Sequence, residues 1–422
     1  AFTYYTGFKV NSGEYKVMGL APYGTPRFAK AIRDHLIDVK PDGSFRLDQT
    51  YFDYCTGLTM TNAKFEALFG LAPRKPSDPL DQAHMDLAAS VQQVVEDVVL
   101  DLTRAVQRET GAKNLCLAGG VALNCVANGK IWRDGQFENI WVQPAAGDAG
   151  GALGAALAAY YIDRGQPRTT SGGSDGMQGS YLGPSFTQDE IETRLRQAGA
   201  IFETLPESDI AAKTAADLAA NAAVGWFQGR MEFGPRALGA RSILGNPASA
   251  DTQKTLNLKV KFRESFRPFA PAVLAEDVAA WFEFDGDSPY MLMVADVHPA
   301  QRVAPTAADA DRKGLDLLYV NRSKIPAVTH VDGSARIQTV HAATNPLFHA
   351  LLTEFKRLTG IPVLVNTSFN VRSEPIVCSP EDAFRCFMAT DLDVLVVGRS
   401  RLEKSAQNPA LKVDYTGNFE PD

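Results

Sequence analysis

The chain has 422 residues, 45% of them hydrophobic and 22% charged, which is the composition of an ordinary globular protein. Its 42 lysines and arginines against 49 aspartates and glutamates give a net charge of −7 at pH 7. These values exclude chain-wide disorder, collagen-like repeats and disulfide-rich miniproteins, and they provide no overall basic surface for nucleic acid. The length predicts two or three domains.

The lack of a run long enough to span a membrane, together with the cysteine usage, predicts a cytoplasmic location. The longest uncharged apolar run, residues 149–162, is shorter than the roughly 18 residues that a membrane-spanning helix needs. The five cysteines form no C-x-x-C pair, which suits a reducing compartment. Because the sequence begins at Ala1 without a methionine, we expect it to be a fragment of a longer protein.

The first third of the chain predicts short extended pieces followed by one long helix. Residues 1–26 end in a turn-rich segment and suggest short strands. From residue 82 to residue 108 the pattern becomes helical, because five aliphatic side chains recur every three or four residues and would line one face: Val91, Val95, Val98, Leu102 and Val106. Gly111 is a suitable helix stop.

Two glycine turns follow, each between a predicted strand and a predicted helix. The strands cover residues 114–117 and 140–142, and the turns cover 118–120 and 147–151. A glycine turn before a helix lets backbone N–H groups approach a phosphate, and Asp148 in the second turn could hold a divalent metal. Alternatively, the glycines only permit tight packing and Asp148 caps the helix. Two such turns in tandem favour a phosphate or nucleotide site.

A polar segment then separates two regions. Met177 is the only apolar residue between 164 and 180, so we predict a first domain at 1–165, a linker at 166–180 and a second domain at 181–422. The second domain is predicted to contain a helix near 207–221 and a strand at 223–227. Later strands are predicted around Lys259, Val328 and Ile361.

Cationic side chains concentrate in the second region. If extended, Lys259, Lys261 and Arg263 would share one strand face, although lysines also protect ordinary edge strands. Arg236 lies in a glycine-flanked turn, and Arg336 follows another glycine turn. Because arginine matches phosphate geometry, this clustering predicts a polyphosphate site.

A predicted strand at 361–365 runs into side chains that can bind ligand oxygens or simply form a turn: Asn366, Thr367, Ser368 and Asn370. Downstream, Ser379, Pro380 and Asp382 form a helix-capping pattern, which we interpret as structural. The six histidines are scattered. Neither a G-x-S-x-G elbow nor a P-loop occurs, which argues against a serine hydrolase and a P-loop enzyme.

Five motifs, in order, resemble those of the ATP-dependent O-carbamoyltransferases, a family that includes nodulation-factor and antibiotic-tailoring enzymes. They cover residues 14–24, 117–124, 234–239, 262–271 and 366–370. The resemblance implies an α/β fold, with a partial actin/hexokinase-like (Kae1-like) domain followed by a YrdC/Sua5-like α/β domain. The second domain would make carbamoyl adenylate from ATP and carbamoyl phosphate, releasing pyrophosphate. The first would transfer the carbamoyl group to a hydroxyl.

The resemblance also implies site residues, transferred motif by motif. The catalytic set would be Lys261, Arg267, Arg236, Arg336 and Ser368. The nucleotide- and carbamoyl-phosphate-binding set would be Arg263, Thr367, Asn370, Gly119, Gly120, Asn124 and Gly151. Asp148 would be a metal ligand for Fe²⁺ or another divalent metal, and Mg²⁺ would accompany ATP.

Members of the family carry a further half domain, with histidine metal ligands, before the first of these motifs. We therefore expect this chain to be a C-terminal portion of such an enzyme. The expected partner is a hydroxyl acceptor on a sugar or natural product, with no nucleic acid, no membrane and a possible homodimer.

Three rival functions remain open. A hydrogenase-maturation carbamoyltransferase shares both domain types, but it carries cysteine-pair zinc modules that this sequence lacks. A role in tRNA threonylcarbamoyl synthesis is disfavoured by the acidic charge balance. A nucleotide-binding remnant without transferase activity is the third alternative.

Overall fold

The computed structural model describes residues 1–169, 175–261, 266–309, 311–371 and 374–412. In these ranges the α-helices are α1 (Phe2–Tyr5), α2 (Glu14–Leu20), α3 (Ala29–Ala31), α4 (Ala63–Phe69), α5 (Gln82–Thr110), α6 (Cys125–Asp134), α7 (Ala149–Ala158), α8 (Gln188–Gln197), α9 (Ile210–Ala219), α10 (Ala250–Thr255), α11 (Val278–Trp281), α12 (Pro346–Thr359) and α13 (Pro380–Ala389). The strands are β1 (Ile37–Val39), β2 (Phe45–Leu47), β3 (Asn114–Leu117), β4 (Asn139–Val142), β5 (Glu203–Thr204), β6 (Val224–Phe227), β7 (Arg241–Gly245), β8 (Ala270–Leu274), β9 (Met293–Asp296), β10 (Ser334–Val340), β11 (Val363–Ser368), β12 (Val394–Val397) and β13 (Ser400–Glu403).

Helix α5 is the long helix predicted from the aliphatic repeat. It begins at a capping box formed by Asp81 and ends at Gly111, which adopts the left-handed conformation. Its apolar face packs against the aromatic residues of α1 and α4 in a small core. The predicted stripe is confirmed at Val98, whereas Val106 is 43% exposed because the core ends before the last turn of the helix.

Both predicted strand–glycine–helix units are present. β3 and β4 pair in parallel, with Asn114 opposite Asn139, and α6 and α7 follow them. The Gly119 amide donates a hydrogen bond to the Ala146 carbonyl (2.9 Å), so the structure places the two turns side by side.

The region after residue 175 is built on one mixed sheet. The described strands follow the order β5-β13-β12-β6-β7-β11-β8-β10-β9. β12 with β6 and β10 with β8 are parallel, and the other neighbours are antiparallel.

Helices cover both faces of this sheet, which explains why its central strands are almost continuously apolar. Adjacent residues of β7 point to opposite sides, so that Leu244 packs in the core with α9 and α12 while Ile243 packs in the larger core with α8 and α13. The helix predicted at 207–221 and the strand predicted at 223–227 are confirmed as α9 and β6.

Some extended segments were predicted wrongly. Residues 1–26 form short helices, because aromatic and aliphatic side chains such as Tyr5 and Leu20 are buried along helical faces rather than on alternate strand positions. Residues 256–260 form a helical turn instead of a cationic strand, with Leu256 and Val260, four residues apart, both buried. Val328 lies in a short 3₁₀ turn. The strand predicted around Ile361, in contrast, is confirmed as β11, which begins at Val363.

The predicted linker is only partly described, since residues 170–174 lie outside the described ranges. Its C-terminal end is packed. Asp175 accepts hydrogen bonds from Trp141 (3.0 Å) on β4 and from Tyr290 (2.6 Å), and Met177 is buried. In the part of the chain that the structure describes, no helix combines the length and the apolar character needed to cross a membrane.

Candidate functional site

The candidate site is a cavity of about 800 Å³ lined by residues from both regions of the chain. Tyr15, Met18 and Tyr23 line it from the N-terminal region, next to polar side chains of α5 and α6. The opposite wall comes from the region after residue 175 and carries Arg236 and Arg336. The cavity therefore exists only when the two regions are folded together.

Two partly buried arginines are among the charged residues that line it. Burial lowers the pKa of Arg236, and the neighbouring Arg336 guanidinium lowers it further. Burial also lowers the pKa of Arg336, against a smaller opposing effect of the adjacent Cys125 thiol. In the described part of the chain no carboxylate pairs with either guanidinium, and Nε of Arg236 has no hydrogen-bond partner. Such buried positive charge favours a bound anion.

Arg267 is the third arginine of the predicted catalytic set in this cavity. Its guanidinium lies 4.6 Å from the centre of the Tyr15 ring, and its charge contributes to the lowered pKa values of Arg236 and Arg336. The structure thus brings together the three arginines that the motifs selected. We call Arg236, Arg267 and Arg336 the arginine cluster.

The remaining predicted catalytic residues form a separate group. The Lys261 ammonium is buried and donates to the Ser368 carbonyl (2.6 Å), the Asn370 carbonyl (2.8 Å) and the Asn370 side-chain oxygen (2.6 Å). Ser368 Oγ also donates to Asn370 (2.7 Å). Lys261, Ser368 and Asn370 thus meet at the end of β11. They were predicted to line one site with the arginines, but none of them is among the described residues that line the cavity. Thr367 is beside them on the same strand.

One predicted binding residue has no structural description. Arg263 belongs to residues 262–265, which lie outside the described ranges.

The predicted residues of the glycine turns are not among the described residues that line the cavity. Gly119, Gly120 and Gly151 are exposed. Asn124 has a structural role: its side chain caps α6 by accepting from Ala127 N (3.1 Å) and pairs with the Gln92 amide.

Asp148 does not supply a metal site by itself. Its carboxylate is exposed and does not cap α7, and no cluster of three or more metal-ligating side chains occurs among the described residues. A divalent transition metal usually needs three or more protein ligands. Among the described residues Asp148 is thus the one predicted ligand, and the Fe²⁺ site stays a prediction for the complete transfer domain.

Sequence reasoning missed the polar wall opposite the arginine cluster. Gln92 and Glu96, one turn apart on α5, are both buried, and Glu96 pairs with Lys130 of α6. His330 also lines the cavity; burial lowers its pKa, and its Nε2 has no partner among the described residues. The i, i+4 polar pair in the middle of α5 was an available signal, but mid-helix Gln and Glu usually face solvent.

Comparison with known proteins identifies the family. A profile described as "Carbamoyltransferase N-terminus" matches residues 1–157, and one described as "Carbamoyltransferase C-terminus" matches residues 215–404. Nodulation protein NolO of Bradyrhizobium diazoefficiens is 41% identical over 408 residues, which cover 96% of this chain and 67% of NolO. This chain belongs to the carbamoyltransferase family. The resemblance inferred from its motifs is confirmed.

Two further relatives show how much of the chain is similar to other proteins. The uncharacterized protein sll1178 of Synechocystis is 58% identical over 409 residues, 96% of this chain and 66% of that protein. The 3'-hydroxymethylcephem-O-carbamoyltransferase of Streptomyces clavuligerus is 35% identical over 284 residues, 67% of this chain and 47% of that enzyme. The chain thus spans between about half and two thirds of the length of the curated relatives it matches.

Proposed function

We propose that this chain takes part in ATP-dependent O-carbamoyl transfer, and that the cavity holding the arginine cluster binds the anionic substrates. The observation that carries the proposal is the group of three arginines, two of them partly buried without a carboxylate partner among the described residues. Carbamoyl phosphate, ATP and pyrophosphate are all anions whose oxygens match arginine donors. Mg²⁺ would enter with the nucleotide.

The proposed activation step forms carbamoyl adenylate. Water first hydrolyses carbamoyl phosphate to carbamate and phosphate, and an oxygen of the carbamate then attacks the α-phosphorus of ATP. The bond from that phosphorus to the bridging oxygen breaks, and pyrophosphate leaves. Negative charge is spread over the phosphoryl oxygens in the transition state, where fixed guanidiniums stabilise it.

In this proposal the residues divide into two tasks. Arg236 and Arg336 hold the phosphate oxygens, since their guanidiniums line the cavity. Lys261 orders the end of β11, because its ammonium already contacts oxygens of Ser368 and Asn370. The predicted assignment of these two regions to Kae1-like and YrdC-like domains is part of the same proposal.

The second step would transfer the carbamoyl group to a hydroxyl. The hydroxyl oxygen attacks the carbamoyl carbon, AMP leaves, and the hydroxyl proton passes to a base. A sugar or natural-product hydroxyl is the proposed acceptor class, in keeping with the cephem hydroxymethyl group in the name of the Streptomyces clavuligerus relative.

The test is carbamoyl-phosphate-dependent exchange of labelled pyrophosphate into ATP, measured on this chain and on two variants. Arg236→Gln and Arg336→Gln should each reduce exchange roughly ten- to hundredfold, the range expected for losing a hydrogen bond to a charged group. Lys313→Ala is the control, because Lys313 is exposed and lies outside the cavity lining. Unchanged exchange in both arginine variants would contradict the assignment of the cavity, and ATP binding without exchange would favour a binding-only remnant.

A further inference from the structure

The loop that carries Arg236 is unusually constrained. Residues 234–240 lie between β6 and β7 and contain Gly234 (φ +143°) and Gly239 (φ +105°). At Gly239 an added Cβ would overlap the Phe348 ring, so the loop must pass close to α12. The loop cannot relax at this point without moving a core aromatic residue.

Side chains from distant parts of the sequence donate hydrogen bonds to the carbonyl oxygens of the loop. Asn366 donates to Ala237 O (3.1 Å), and Trp226 donates to Gly239 O (3.0 Å). Leu238 O accepts from two further side chains, Gln338 (2.8 Å) and Tyr181 (2.8 Å).

The loop N–H groups depend on one buried carboxylate. Glu232 is 6% exposed, and its Oε1 accepts from the N–H groups of Leu238 (2.6 Å), Ala240 (2.8 Å) and Arg241 (3.3 Å). Its Oε2 has no partner among the described residues. Burial raises the pKa of the Glu232 carboxyl against the opposing effect of these N–H groups. By accepting these three backbone N–H groups, the buried carboxylate fixes the position of residues 238–241.

Glu232 itself lies outside the set of described residues that line the cavity, whereas Arg236, four residues along the loop, lines it. We propose that Glu232 is a positioning residue: by fixing residues 238–241 it holds the Arg236 guanidinium in the cavity at the place where the anionic substrate binds. This inference rests on the proposed function only in taking the cavity as an anion site. A fixed guanidinium binds an anion without first being ordered, so its preorganisation contributes directly to affinity.

The test is a double-mutant cycle on the full chain, with inorganic pyrophosphate as the probe and calorimetric titration as the readout. The variants are Glu232→Ala, Arg236→Gln and the double variant. Glu232→Ala should weaken pyrophosphate binding about tenfold or more, because small displacements of a binding group carry large penalties. In the Arg236→Gln background the same change should weaken binding less than about twofold, since the residue it positions is gone.

Two further variants separate positioning from general destabilisation. Glu232→Gln keeps a side-chain oxygen in place to accept the three N–H groups, so it should restore near wild-type affinity. Asp217→Ala is the matched control, because Asp217 is also a largely buried carboxylate but pairs with Arg401, outside the cavity lining. It should reduce stability and leave pyrophosphate affinity unchanged. If Glu232→Ala does not fold, Glu232→Asp, which withdraws the carboxylate by one methylene, takes its place.

Each contrary outcome is distinguishable. Equal losses from Glu232→Ala in both backgrounds, wild-type affinity in Glu232→Ala, or failure of Glu232→Gln to restore binding would overturn the positioning role while leaving the anion site intact. Absence of pyrophosphate binding by the unaltered chain would overturn the proposed anion site and the positioning role together. If Arg236→Gln weakens binding and Glu232→Ala does not, the anion site stands and the positioning role of Glu232 is rejected.

Discussion

At the residue scale, Arg236 and Arg336 place partly buried positive charges near one another without a carboxylate partner among the described residues. Such an arrangement destabilises the empty protein, because desolvation and like-charge repulsion both oppose it. Proteins keep unfavourable groups of this kind mainly at functional sites, where a ligand removes the penalty. This physical argument favours an anion-binding role for the cavity without reference to the relatives.

The same reasoning does not assign a function to Lys261. Its position in a cationic motif predicted a place in the activating site, and its ammonium does meet Ser368 and Asn370. However, removing Lys261 would break the hydrogen bonds by which it holds the end of β11, so lost activity in such a variant would not separate catalysis from folding. The arginine variants are therefore the more informative ones.

His341 provides a test of pH-dependent stability. Its Nε2 hydrogen bond to Asp287 (2.7 Å) raises its pKa, against the opposing effect of partial burial and with a further contribution from Glu276. A raised folded-state pKa contributes stability that is complete below the unfolded value and is lost as pH rises through the folded value.

His341→Gln should therefore lower the melting temperature more at about pH 5.5 than at about pH 9, because only protonated His341 has the additional interaction. Thermal unfolding of both proteins at the two pH values measures the difference. The control is His349→Gln, since His349 pairs with Glu276 on the same surface without a direct contact to Asp287. An equal loss at both pH values in His341→Gln would refute the assignment.

At the element scale, long periodic segments were predictable and short ones were not. The 29 residues of α5 repeat their aliphatic pattern often enough to define one helical face. The five residues 259–263 alternate too briefly in sequence to exclude a helical turn. Residues 256–260 form such a turn, with Leu256 and Val260 buried. Residues 1–26 were predicted wrongly for a related reason. Their aromatic residues have a high strand propensity, but in the structure they form helices that pack against α4 and α5.

Capping signals transferred reliably because they are local. Ser379 accepts from Asp382 N (3.2 Å) at the start of α13, while Asp382 accepts from Ser379 N (3.0 Å), as the sequence predicted.

Ser379→Ala should lower the free energy of unfolding by about 1 kcal/mol, the usual contribution of such a cap. The urea midpoint at unchanged m-value measures it. Ser379→Thr retains the hydroxyl and should stay closer to the unaltered chain. A midpoint shift as large in the threonine variant as in the alanine variant would show that packing, and not the cap, is responsible.

At the scale of the whole molecule, the cavity is formed by joining two regions that the sequence separated at a linker. α6 packs directly on β9, and Asn128 donates to the carbonyl of Leu292, the residue before that strand (2.9 Å). At Gly129 an added Cβ would overlap the Val294 carbonyl oxygen, so only glycine permits this approach. The same contact places the α5–α6 wall opposite the arginine cluster.

Gly129→Ala should therefore destabilise the protein by about 1–3 kcal/mol, as overpacking in a core does, and weaken pyrophosphate binding at the same time. Urea unfolding and calorimetric titration give the two readouts. Gly154→Ala is the matched control: it also adds a methyl within a helix, but its Cβ meets no atom within 4 Å, so stability should stay equal or rise. Unaltered stability and binding in Gly129→Ala would contradict the close junction.

The sequence by itself determined the local and recurrent features of this protein. It predicted the α/β character, the long helix, the two glycine turns, the caps and the family, because periodicity, turn chemistry and motifs are written in neighbouring residues. It also selected Arg236, Arg267 and Arg336, since arginines beside glycine turns or within family motifs stand out in an acidic chain.

The tertiary structure decided which of those residues meet. The motifs placed Lys261 and the arginine cluster in one site. In the structure Lys261 contacts the end of β11, whereas the three arginines line the cavity, because the direction of each side chain depends on packing from distant elements. Gln92, Glu96 and Glu232 are ordinary polar residues in the sequence and become informative only when buried. Burial is the sum of contacts from the whole chain, so the i, i+4 spacing of Gln92 and Glu96 could not by itself distinguish a buried pair from a solvent-facing one.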